Sequence, residues 1–70
     1  MLLYDVFYTD DDGNQTLSGT WNDVDLARQF CAENFGVDPE LASIGEDIVA
    51  SWESPDGEGT ITIVERTVDG

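Results

Sequence analysis

Apolar residues alternate at period two near both ends of this chain, and a stretch between them repeats at the helical period. In Leu2-Leu3-Tyr4-Asp5-Val6-Phe7-Tyr8, the residues Leu2, Tyr4, Val6 and Tyr8 fall on one face and Leu3, Asp5 and Phe7 on the other. Such alternation, in β-branched and aromatic residues, predicts a strand. Thr60 to Val68 reads the same way, with Ile61 and Ile63 inward. Val24, Ala27, Cys31 and Phe35 instead recur at helical spacing, flanked by Phe30, while Leu26 falls off the stripe. Two strand regions that bury one face each need a cover, and the helix between them supplies it.

Turn chemistry divides the remainder. Asp10-Asp11-Asp12-Gly13-Asn14 reads as a turn whose Asp-Gly step suits positive φ, after which Gln15 to Gly19 returns as a weaker strand carrying Leu17. Thr20-Trp21-Asn22-Asp23 has the form of a capping box with Thr20 as cap and Asn22 as competitor, so a helix is expected to start between 21 and 23. Gly36 is the expected terminator. Asp38-Pro39-Glu40 reads as a second helix start, short because Gly45 follows. Ile48 to Glu53 is a further strand, with Ile48, Ala50 and Trp52 expected on one side. Ser54-Pro55-Asp56-Gly57-Glu58-Gly59 is a hairpin loop by composition. The expectation is one α+β domain over residues 1–70: an antiparallel sheet of about four strands, ordered ββαββ, with one main helix on one face.

The charge balance narrows function more than fold. Sixteen Asp and Glu stand against two basic residues, Arg28 and Arg66, with no Lys or His, for a net charge of −14. Phosphate contacts need Lys and Arg, so direct binding to nucleic acid or to an anionic membrane is disfavoured. No stretch approaches a membrane span, and residues 1–8 lack the basic and long apolar segments of a signal peptide, which with the single Cys31 points to the cytoplasm. Disorder is disfavoured too, since 40% of residues are hydrophobic and two Trp, two Tyr and three Phe are present.

Candidate chemistries fail one by one. Asp10, Asp12 and Asn14 alternate like the first ligands of a calcium loop, but Gly13 and Gln15 are out of place and Trp21 stands where a bidentate Glu belongs. No metal or other cofactor is expected. Carboxylate pairs abound, yet without His or Lys the usual general base is missing, and a chain that buries only about 60% of its surface has little room for a supported active site. Cys31 lies within the apolar stripe and reads as core, Trp52 likewise, and Trp21 as core or staple packing. Arg28 is placed to pair with Asp25 on the helix, and Arg66 across strands. The chain is expected not to be an enzyme.

What remains is the acids. A 70-residue domain has a radius of gyration of about 11 Å and a width of about 28 Å. Duplex DNA of that length carries about 16 phosphate charges at one per ~1.7 Å. A domain this acidic therefore approaches the charge density of a duplex, and a basic groove would be steered to it. The hairpin acids Asp10, Asp11, Asp12, Asp56 and Glu58 and the helix acids Asp23, Asp25 and Glu33 are the candidate contacts. In size, charge and α+β pattern the whole chain resembles the small acidic phage-encoded proteins that mimic DNA, including anti-CRISPR proteins. That resemblance implies an inhibitor acting in the host cytoplasm by occupying the DNA site of a complex such as a CRISPR surveillance complex. The other explanation is salt adaptation: molar salt screens acidic repulsion to about 3 Å, and lysine is avoided there. The domain would then be a halophilic interaction module whose charge names no partner.

Overall fold

The computed structural model describes residues 1–69 and, at Ser43, the backbone alone. Its elements are strands β1 (Leu2–Asp10) and β2 (Gln15–Trp21), helix α1 (Val24–Phe35), and strands β3 (Ser43–Gly45), β4 (Ile48–Glu53) and β5 (Gly59–Thr67). The strands form one antiparallel sheet in the order β2-β1-β5-β4-β3. The two end strands of the sequence, β1 and β5, therefore lie together at its centre, in register from Leu2↔Thr67 to Asp10↔Gly59. The fold is α+β as expected, with five strands rather than four.

Period-two alternation sorts the central strands into two faces. Val6 of β1, Ile61 and Ile63 of β5, and Ala50 and Trp52 of β4 are buried with Ala27 and Cys31 of α1 and with Val37. Aromatic rings close the ends of this core. Phe35 stacks on Tyr8 at 5.9 Å, Trp21 packs on Phe30 at 4.5 Å, and Phe30 meets Phe35 edge-on. Among the described residues, eight apolar ones make up the buried core, a small one, so ties at its edge carry weight.

Four sequence expectations are corrected. The helix starts later than Thr20 or Asn22 allows, because β2 continues to Trp21, which pairs with Tyr4. Asp23 becomes the cap, extended in backbone and accepting from the Asp25 N–H at 2.8 Å. No second helix follows Pro39. The Asp38 side chain accepts from the Glu40 N–H, the Asp38 carbonyl accepts from Leu41 N–H and from the Trp52 indole at 2.7 Å, and the chain turns into the short strand β3. Ile48, Ala50 and Trp52 do not share one continuous line, since Ile48 pairs with Val64 but Ala50 with Ile63, leaving Val49 as the extra residue of a bulge. Arg28 does not pair with Asp25; its Nη2 donates to the Val49 carbonyl at 3.3 Å, while its buried Nε lacks a partner among the described residues. Elsewhere the reading holds: Gly36 ends α1 at φ 72, Gly13 and Gly57 turn the hairpins at positive φ, and Leu26 is exposed.

Candidate partner-binding surface

The β1–β2 and β4–β5 turns lie side by side because β1 and β5 pair through to Asp10 and Gly59. A cleft of about 290 Å³ separates them, lined by Asp10, Asp11, Glu53, Glu58 and Thr60 with two glycines. Asp12 belongs to the same turn as Asp11, with carboxylate oxygens of Asp10, Asp11 and Asp12 within 4.8 Å of one another. Asp56 caps the neighbouring turn. The last turn of α1 arrives at the same end, shown by the Phe35–Tyr8 stack, and brings Glu33. That turn has no basic residue, so the partial negative charge of the helix C-terminus adds to the carboxylates unopposed. Asp10, Asp11, Asp12, Glu33, Glu53, Asp56 and Glu58 thus share one end of the molecule.

The other two candidate residues, Asp23 and Asp25, are elsewhere. They sit at the start of α1, just after Trp21 has paired with Tyr4, and Tyr4 lies about 20 Å along β1 from Asp10 at ~3.3 Å per residue. The cations lie in that half as well. Arg66 is opposite Leu3 in the sheet, the N-terminal ammonium donates to the Val68 carbonyl, and Arg28 lines a cleft with Tyr4, Val24 and Glu65. The candidate acids are therefore split between two ends, with the hairpin end free of basic residues among those described.

Several acids are committed to the fold itself. Asp10 Oδ1 accepts from the N–H of Asp12 and of Asn14, at 3.0 and 2.8 Å, closing the first hairpin. Asp56 accepts from the Ser54 hydroxyl and the Glu58 N–H, closing the second, and these donors hold its pKa below the usual carboxylate value. Asp23 and Asp38 do the same at the helix start and the turn before β3. In all four cases an Asp takes the N–H two residues on, and that residue is itself acidic. The Asp-x-Asp/Glu spacing was a visible signal of these roles. Asp11, Asp12, Glu33, Glu53 and Glu58 have no such task and are exposed, which makes them the cleaner partner contacts. Glu53 carries no such signal in the sequence, because it ends a strand rather than sitting in a turn.

One acid is different in kind. Asp5 is 7% exposed and lies on the face away from the helix. Arg66 Nε donates to it at 2.8 Å, with a second bond from Nη2, and the Thr20 hydroxyl donates at 2.7 Å. The Arg66 hydrogen bonds, then that of Thr20, hold the carboxyl below its ordinary range against the opposing effect of burial. Cys31 is buried and its thiol is pushed up to about 11 by desolvation, so it lacks the thiolate a nucleophile needs. Among the described residues, no helix is long and apolar enough to cross a membrane. No family model matches the chain, and neither a curated protein nor a solved structure is found to be similar to it.

Proposed function

We propose that this protein is a non-enzymatic inhibitor that binds the basic, nucleic-acid-binding groove of a DNA-binding complex, presenting its hairpin end in place of duplex phosphates. The observation that supports this is the gathering of seven carboxylates and a helix C-terminus at one end, with both arginines in the other half. The molecule measures 38 × 24 × 20 Å. A duplex run matching the 24 Å width carries about 14 charges, of which about half face one side, so the end matches duplex density closely. Long-range attraction would speed encounter with a cationic groove and disfavour acidic competitors. A CRISPR surveillance complex is the partner to try first, acting in the cytoplasm.

The test is competition. The complex is titrated with this protein with and without its target DNA. Binding that target DNA excludes supports mimicry; simultaneous binding rejects it. Charge reversal of Asp11, Asp12 and Glu58 to Lys is expected to weaken binding by about tenfold or more, and Asp69→Lys by less than about twofold. Asp10 and Asp56 are poor choices for reversal, because their loss opens the turns.

The salt-adapted reading draws on a different observation: Asp23, Asp25, Glu46 and Asp47 are exposed far from the hairpins, so acids also cover surface outside the proposed contact. It requires the fold to melt when salt falls below about 0.5 M, whereas the inhibitor reading requires a folded protein at ordinary ionic strength.

A further inference from the structure

We infer that the sheet face away from the helix is a self-association surface, on which a second copy of this chain packs face to face. The helix covers one face only. The other presents Leu3, Phe7 and Val64 half-buried, Leu17 at 55% exposure opposite Phe7, and Thr9, Thr20, Thr60 and Thr62 around them. Charge singles this face out. On a chain of −14 it carries two acids, and one of them, Asp5, is neutralised by Arg66; the other, Glu53, lies at the hairpin rim. An approach through the hairpin end sets carboxylates against carboxylates. The face-to-face approach sets threonine and apolar side chains against their equivalents, as a two-fold interface requires.

The size reaches the threshold. Strands β2, β1, β5 and β4 hold 7, 9, 9 and 6 residues, so at about 3.3 Å per residue and about 4.8 Å between strands the face covers about 500 Å² per copy and about 1,000 Å² for a pair, the floor for a specific interface. Burying it would also enlarge a core that eight residues make small. The Asp5–Arg66 pair fits the role: it makes the centre of the face electrically neutral while leaving the acids at the ends.

Sedimentation equilibrium on the full chain tests this. A dimer is expected at about 100 μM, tightening as NaCl rises from about 0.15 to 1 M, because salt screens the rim acids. That sign is opposite to binding a basic groove, which salt weakens, so the two readings fail separately. Leu17→Glu, on an exposed edge-strand position, is expected to raise the dimer dissociation constant at least tenfold, while Leu26→Glu on the helix leaves it unchanged. Should Leu17→Glu lose its circular dichroism, Thr62→Glu decides the same point. A monomer at all concentrations and salts overturns the inference. So does a dimer that survives both sheet-face variants or is lost with Leu26→Glu.

Discussion

Replacing Arg66 by Met keeps the aliphatic stem and removes the cation that faces Asp5. The carboxylate is 7% exposed, so little water can replace the lost donors, and Thr20 alone is left to it. Removing one partner of a fully buried pair costs about 3–5 kcal/mol, and an exposed pair contributes about 0–1. The Arg66 side chain is 50% exposed, so solvent screens the pair and the expected loss lies toward the exposed-pair end of this range. For a domain of this size that is a melting temperature lower by about 4–8 °C. The pH dependence gives the sharper check. The folded pKa of Asp5 is depressed, so its contribution is fully present above the unfolded value near 3.8 and is lost as pH falls through the lower folded value. Arg66 is the largest cause of the depression. The wild-type and variant stabilities should therefore differ at neutral pH and converge well below 3.8. Titration of the exposed acids occurs in both proteins and cancels in the difference. Adding Asp5→Asn to the variant should recover part of the loss by removing the unpaired charge. Urea unfolding across pH measures all of this. A gap that stays constant with pH, or one below about 0.3 kcal/mol at neutral pH, refutes the account.

Other expectations follow from single contacts. Gly59→Ala would bring its Cβ to 2.5 Å from the Thr9 carbonyl and 2.7 Å from the Tyr8 hydroxyl, so a loss of about 1–3 kcal/mol is expected in thermal unfolding, with the hairpin end most affected. Asp23→Ala removes the α1 cap and should cost about 1 kcal/mol, read as a lower melting temperature and reduced helical ellipticity. Cys31, with its thiol raised to about 11, should resist a disulfide-forming reagent in the folded protein at mildly alkaline pH and react at the global unfolding rate. Rapid labelling of the native protein would place it wrongly in the core.

How far the fold could be read from the sequence depends on how local its causes are. β1, β5 and α1 declare themselves because each carries its own period, and Gly13, Gly36 and Gly57 mark turns that need positive φ. The misses have tertiary causes. Pro39 suggests a helix start, but the Trp52 indole claims the Asp38 carbonyl, and a three-residue strand forms by pairing with β4 rather than by any pattern of its own. Thr20 suggests a cap, but its hydroxyl is drawn to Asp5 across the β1–β2 pair and its strand runs on to Trp21. The bulges at Ser18 and Val49 are register features with no marker in composition. The same distinction holds at the acidic end. Turn composition exposes the two hairpins as acidic, yet their adjacency comes from β1 pairing with β5 across most of the chain length, and Glu53 becomes a neighbour of Asp11 only through it.

That pairing also governs what the outside of the molecule presents. Both arginines are already engaged away from the hairpin end: Arg66 pairs with Asp5, and Arg28 donates to the Val49 carbonyl. Had either lain at the hairpin end it would neutralise a carboxylate there and shorten the reach of the field. Asp10, Asp23, Asp38 and Asp56 fasten backbone N–H groups, so part of the acid content does structural work that neutral Asn or Ser could also do. The exposed acids beyond those, Asp11, Asp12, Glu33, Glu53 and Glu58 at the hairpin end among them, make no hydrogen bond to another side chain and add mutual repulsion, so their presence lowers the stability of the compact state. A small core can carry that burden because the repelling groups are solvent-exposed at the end of the strands, where water and salt screen each pair, while the sheet centre is left neutral. The arrangement keeps a cohesive middle and a strongly negative end in one 70-residue chain, and replacing Asp11, Asp12, Glu53 and Glu58 together by their amides should accordingly raise stability at low salt while removing the attraction for a basic groove.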